Sequence, residues 1–226
     1  MKTLADQLDA AGLQVYGCCE KLSAYPDLLQ NAPLLQDFTP AEADILGASM
    51  RLIRADPGQV IIQEGEAGDW MLLILRGTVD VTKRIEAAPL AGAEPARDGL
   101  NKAFEQAVSR ASLASTERTP AFDAASSLVN SLPGTQDDAG FIVSRVAVVK
   151  RGASIGEMSM LDSEPRYATC TALEQVEAAA LGRHEIAVLI RDHPGVGAKL
   201  LVTITQMMAQ RLRNTSNQLV KLLRKR

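Results

Sequence analysis

Apolar positions near the start of the chain recur at helical intervals. Leu4, Leu8, Ala11 and Val15 are separated by four, three and four residues, which predicts helix through the first turns, and the first fifty residues read as helical throughout. Thr39-Pro40-Ala41-Glu42 has the composition of a helix start: a hydroxyl cap, a proline at the first helical position, and an acid three residues after the cap. From Arg51 the period changes. RLIRADPGQVIIQEGEAGDWMLLILRGTVDVTKR alternates short apolar runs with turns at Pro57-Gly58, Gly65, Gly68 and Gly77, which predicts several short strands of a sandwich or barrel. Trp70 opens one of these runs and is assigned to the core. Strands resume at FIVSRVAVVKRGASIGE and at ATCTALEQVEAAALG.

Between the two strand groups, residues 86–140 are rich in Ala, Ser, Pro and Gly and poor in β-branched residues, so they do not continue the sheet. Leu100, Ala103, Phe104, Ala107, Val108 and Ala111 fit one helix face, and 124–132 fits a second short helix. An insertion between two strands accounts for the segment. Helix returns from His184. Leu201, Ile204, Met208, Leu212, Thr215, Leu219 and Leu222 are spaced 3, 4, 4, 3, 4 and 3, close to a heptad seam. That spacing predicts a long C-terminal helix that pairs with a second copy; the plainer alternative is a helix packed on its own barrel.

Composition narrows the function classes. The chain has 226 residues, enough for one elaborated domain, and 46% hydrophobic side chains, enough for a core. Its net charge of −3 gives no bulk electrostatic case for nucleic acid, although KLLRKR places four basic residues in the last six. Those residues complement the negative end of a helix dipole. No apolar run reaches membrane-span length and no signal core opens the chain, so a soluble cytoplasmic protein is expected. Three cysteines, Cys18 and Cys19 adjacent and read as a helical pair, give neither a disulfide framework nor metal spacing. His184 and His193 lack partner ligands and read as structural or solvated, Cys170 as a small buried strand residue. No Ser-His-Asp or Cys-His arrangement emerges, and the expectation is a protein that is not an enzyme, without metal or cofactor.

One stretch carries candidate chemistry: GASIGEMSMLDSEPRYATCT. Gly156 stands before Glu157, and Arg166 follows nine residues after the acid. A bare glycine lets a ligand approach the backbone, successive amides can form an anion nest, and a guanidinium fork suits two phosphate oxygens. A carboxylate beside such a nest repels phosphate and serves better as an acceptor for hydroxyls. The residues fit a sugar phosphate; they also fit a surface turn with an incidental ion pair.

The order of the whole chain resembles the cyclic nucleotide-binding domain family, over about 28–84 and 141–222. The resemblance is carried by LLQNAPLLQDFTPAEADILGASMRLIRADPGQVIIQEGEAGDWMLLILRGTVDV, with Gly58, Gly65, Gly68 and Gly77 at the turns, and by the phosphate-binding cassette SIGEMSMLDSEPRYATCTA. It implies an α+β fold: a β jelly-roll barrel with N-terminal helices, the insertion at 86–140, and a C-terminal dimerisation helix. The domain limits expected are a helical extension over 1–27, the jelly roll over 28–193, and the helix over 194–226.

The resemblance also implies roles. Glu157 takes the ribose 2′-hydroxyl, Arg166 the exocyclic phosphate oxygens, and the backbone at Gly156, Met158 and Tyr167 completes the cradle. Leu75, Val146 and Val149 form an apolar wall behind the ring. MMAQRLRNTSNQLVKLL resembles the dimer helix of the catabolite activator protein group, in which a Thr-Ser pair meets the purine. Thr215 and Ser216 stand at that place and favour cyclic AMP over cyclic GMP. Three departures bear on this. Tyr167 is bulky where a small residue is usual, and it can stack on the ligand, turn outward or fill the pocket. The insertion replaces a short hairpin and offers a surface to a protein partner. The winged helix-turn-helix of the group is expected to be missing, since the chain stops at Arg226, which with the net charge argues against DNA. The expectation is a non-catalytic cyclic nucleotide receptor whose C-terminal helix responds to ligand and pairs in a homodimer. The alternative is a degenerate domain, plugged by Tyr167, acting as a dimeric scaffold.

Overall fold

The computed structural model describes residues 3–19, 21–86 and 141–223. Their strands pair antiparallel throughout and form two sheets. One has the order β1 (Gln14–Cys18), β2 (Arg51–Ala55), β9 (Val176–Gly182), β4 (Trp70–Arg76), β7 (Ser154–Ile155); the other has β3 (Val60–Ile62), β8 (Thr169–Ala172), β5 (Thr78–Glu86), β6 (Phe141–Lys150). The helices are α1 (Leu4–Ala10), α2 (Pro26–Asn31), α3 (Pro40–Ala48), α4 (Glu157–Asp162), α5 (Arg183–Asp192) and α6 (Pro194–Leu223).

Strand parity divides the interior into two cores. Successive side chains of a strand point to opposite faces. In β4, Trp70, Leu72 and Ile74 join Ile53, Ile62, Val79, Val149, Ile155, Cys170 and Ala178 between the sheets. Met71, Leu73 and Leu75 face the other way, into a core with Leu34, Leu35, Leu46, Met160, Leu189, Leu200 and Ile204. A strand covered on both faces reads as an unbroken apolar run, which is why WMLLIL does not alternate.

The helical spacing expected at the N-terminus holds only to Ala10. Gly12 adopts φ +72°, Leu13 N–H donates to Leu8 O at 2.9 Å, and the chain leaves the helix there. Val15 belongs to β1, which pairs with β2 at the sheet edge. Local apolar spacing was overridden by edge pairing. The two cysteines are therefore not on a helix: Cys18 ends β1 exposed, and Cys19 is buried, its thiol pushed up to about 11 by burial and the nearby Asp44. The cap at Thr39 forms as its sequence predicts, with Glu42 N–H donating to Thr39 Oγ1 and Thr39 N–H to Glu42 Oε2.

β5 and β6 pair from Thr78↔Lys150 to Glu86↔Phe141, so the inserted residues connect the far end of this hairpin. The two helices expected within the insertion lie outside the described residues. No helix among the described residues is long and apolar enough to cross a membrane.

The base of α6 is anchored. Val196, Leu200 and Ile204 are buried in the helix-side core, and Lys199 Nζ donates to both Glu42 carboxylate oxygens at 2.7 Å and to Asp37 O at 3.0 Å. Hydrogen bonding from Lys199, then from Thr39, holds the Glu42 carboxyl down at about 2. A depressed carboxyl pKa stabilises the fold above its ordinary value of 4.5, and that contribution fades as pH falls toward 2. Lys199→Met is accordingly expected to melt below the parent at pH 7, with the gap narrowing as pH drops from 4.5. Thermal melts across that range measure it; a gap independent of pH would refute the clasp.

Candidate functional site

The cassette between β7 and β8 brings Gly156, Glu157 and Arg166 together. Gly156 takes φ +82° and forms the N-cap of α4, so the chain turns sharply from β7 into the helix. A Cβ there would sit 2.8 Å from Arg166 Nη1 and 3.1 Å from the Trp70 carbonyl, too close for either. The helix ends at Ser163, a non-glycine residue at φ +65°, and a short irregular segment leads to Arg166. The backbone of Arg166 is pinned to the β3–β4 loop: its N–H donates to Glu66 O at 2.8 Å, and its carbonyl accepts from Gly65 N–H at 2.9 Å.

Both charged residues are buried, Glu157 at 1% and Arg166 at 4% exposure. Arg166 Nη1 donates to Gly156 O at 2.9 Å, and its guanidinium carbon lies 4.4 Å from the centroid of the Trp70 ring. Burial pushes the Arg166 pKa down to about 10, which leaves it a cation at neutral pH. Glu157 is met by a residue that the cassette motif does not contain. Arg211, on α6, donates through Nη1 to Glu157 Oε1 and through Nη2 to Ser154 O at 3.1 Å. Its stem is half exposed while the carboxylate it meets is enclosed.

Among the described residues, four buried side-chain polar atoms have no hydrogen-bond partner: Ser154 Oγ, Glu157 Oε2, Arg166 Nη2 and Arg54 Nε. Three of the four belong to the cassette. A buried polar atom left unmet costs about 1–3 kcal/mol, so a hydroxyl, a carboxylate oxygen and a guanidinium nitrogen unmet within one short segment indicate a place for a polar ligand. The ligand these groups fit carries both hydroxyl and anionic oxygens.

The remaining expected residues divide. Val149 is buried in the between-sheet core. Leu75 is not with it, because strand parity turns Leu75 to the helix-side core. Val146 is 39% exposed on β6 and is not enclosed with Val149. Met158 is also partly exposed, at 41%. Thr215 and Ser216 are exposed on α6 one turn beyond Arg211, and Thr215 Oγ1 donates to Arg211 O at 3.0 Å. Tyr167 turns outward, 57% exposed, with Lys83 Nζ 4.1 Å from its ring centroid. Lys83 also donates to Tyr167 O at 2.7 Å and to Glu64 at 3.0 Å, which holds the ring against β5.

Gly68, expected at a turn, has another reason to be glycine. Its φ lies outside the left-handed region, and a Cβ there would overlap the Arg166 guanidinium. No cluster among the described residues could hold a metal ion. A separate groove of about 420 Å³ between α3 and α5 is lined by Asp44, Ile45, Val188, Leu189 and His193, and none of the four unmet atoms belongs to it.

Residues 141–193, which include the whole cassette, match the family model of the cyclic nucleotide-binding domain. The chain is 24% identical over 167 residues to a cAMP-dependent protein kinase regulatory subunit of Yarrowia lipolytica, covering 74% of this chain and 30% of that protein. It is 23% identical over 197 residues to a CRP-like cAMP-activated global transcriptional regulator of Mycobacterium tuberculosis, covering 87% and 62%. It thus spans less than two thirds of either relative. A solved cyclic nucleotide-binding domain from Methylobacillus flagellatus superposes with a TM-score of 0.59 at 22% identity, covering 99% of this chain and 93% of that one. The chain has the fold of the cyclic nucleotide-binding domains it resembles, antiparallel sheets with packed helices. Both named relatives are regulatory proteins.

The Glu157–Arg211 pair makes a measurable claim. Arg211→Met strands a buried carboxylate and is expected to lower stability by about 1–3 kcal/mol. Adding Glu157→Gln should recover part of that loss. A double-mutant cycle by chemical denaturation is expected to give a coupling of at least about 1 kcal/mol; a coupling near zero would mean that α6 does not hold this pair in solution.

Proposed function

We propose that this protein is a non-catalytic receptor for a cyclic nucleotide, cyclic AMP in the first place, whose ligand is read out by α6. The observation that carries the proposal is the set of three unmet buried atoms in the cassette. In this reading the ribose 2′-hydroxyl donates to Glu157 Oε2, and a phosphate oxygen accepts from Arg166 Nη2. The backbone around Gly156, Met158 and Tyr167 closes the cradle. The outward position of Tyr167 removes the reason for a plugged pocket, and the receptor is preferred over the scaffold.

Coupling needs a contact that differs between two positions of α6. Arg211 supplies it. Ligand and helix share one carboxylate: Arg211 holds Oε1, and the ribose takes Oε2 of the same Glu157. Thr215 stands one turn further along the helix, with Ser216 beside it, and the pair is proposed to meet the purine. Val202 on the outer side of the anchored base, and Leu212, Val220 and Leu223 beyond it, are exposed along α6, which supports pairing with a second copy of the chain. The insertion is proposed as the contact for a protein partner.

Isothermal titration with cyclic AMP and with cyclic GMP tests the reading. Cyclic AMP is expected to bind at micromolar affinity or tighter, about −8 kcal/mol, and more tightly than cyclic GMP. Glu157→Ala and Arg166→Met are each expected to abolish that binding. Arg166→Met should nevertheless melt no lower than the unliganded parent, because it removes an incompletely met buried charge. Parent affinity retained in both variants would sink the proposal.

A further inference from the structure

Trp70 is the single tryptophan of the chain and the first residue of β4, buried among apolar side chains between the sheets. Its place in the core is half of its role. The same ring is the surface against which the Arg166 guanidinium rests, 4.4 Å from ring centroid to guanidinium carbon. Around that contact the rest of the residue is held at several points. Nη1 is committed to Gly156 O, the bare Gly68 leaves no room for a shift toward it, and the Arg166 backbone is tied to Gly65 and Glu66. Nη2 alone is both buried and unmet.

We infer that Trp70 is the positioning residue of the anion site: its indole face holds the plane of Arg166 and leaves Nη2 as the free donor for the ligand. This rests on the cyclic nucleotide reading above. The physical case lies in what an aromatic face does that a carboxylate does not. A π face favours a desolvated cation electrostatically and stacks on its plane, yet accepts none of its in-plane N–H groups. A carboxylate in the same place would neutralise the charge and occupy the fork, in competition with phosphate. Trp70 therefore supports the buried charge without answering it.

Three preparations of the full chain test this: Trp70→Leu, Trp70→Phe and Arg166→Met. In the parent, the Arg166 Nε–Hε resonance is expected to be displaced by the indole ring current. The displacement should persist in part in Trp70→Phe and vanish in Trp70→Leu. By calorimetry, Trp70→Leu should weaken cyclic AMP about tenfold or more, and Trp70→Phe should stay within about threefold of the parent. Arg166→Met should change the emission of the single tryptophan while leaving the fold intact, an arm that stands even if Trp70→Leu does not fold. An Arg166 resonance unmoved by Trp70→Leu, parent affinity in a folded Trp70→Leu protein, or Trp70 emission unchanged by Arg166→Met would each overturn the inference. If the parent binds no cyclic nucleotide, the receptor reading fails, and the resonance and the emission still decide the positioning role by themselves.

Discussion

A guanidinium taken out of water needs partners, and the cassette is arranged around one whose Nη2 is buried without one. Arg166 meets an indole face and the Gly156 carbonyl, and it lies against a glycine with no side chain to intrude. Its backbone bonds to the β3–β4 loop, which fixes where the side chain begins. The bare Cα of Gly68 makes room for that packing, and the left-handed Gly156 lies against the same guanidinium. Gly68 would be an ordinary loop glycine if Arg166 were elsewhere, whereas Gly156 is also fixed by its positive φ and the nearby Trp70 carbonyl. The desolvation that lowers its pKa also keeps the charge from being screened, and an anion arriving there meets a stronger field than it would at the surface.

Glu157 is handled differently, and the difference gives the site a direction. Arg166 is tied to the β3–β4 loop, whereas Glu157 is met from α6, an element packed on the core only as far as Met208. A ligand that touches both residues spans a fixed part and an attached part of the molecule. The guanidinium sits in a segment bonded to the β3–β4 loop, and the carboxylate is met from a helix. This asymmetry is more informative than the presence of the two charges, which a surface turn could also show.

Much of this was legible in the chain and some was not, for reasons that can be named. The change of period at Arg51 marked the sheets, because strand and helix packing impose different repeats. The cap at Thr39 was readable because all its partners lie within four residues. The end of α1 at Ala10 was missed because Leu4, Leu8, Ala11 and Val15 keep a helical spacing, while the pairing of β1 with Arg51–Ala55 is a distant contact. Leu75 was misplaced although parity was available: it shares a face with Leu73 and Met71, not with Trp70. Glu157 and Arg166 were visible as a motif. Arg211 was not, yet its position four residues before Thr215 put it on the same helix face as a residue already under consideration. The fate of Tyr167 depended on Lys83, which no local pattern could have connected to it.

The contacts along α6 divide the helix into an anchored part and an exposed part. Val196, Leu200 and Ile204 are sealed in the core and Lys199 is clasped by Glu42, so the first turns belong to the rigid body. Arg211 makes its contact near the middle of the helix, and from Leu212 onward the described side chains are exposed. Segments with few buried contacts sit at the low end of local stability and move at little cost. An ion pair placed at that border has leverage a deeper one would lack: it bears on the free half while the anchored half keeps the register. Had Arg211 stood two turns earlier, beside Ile204, the pair would lie against the packed core instead of at its border.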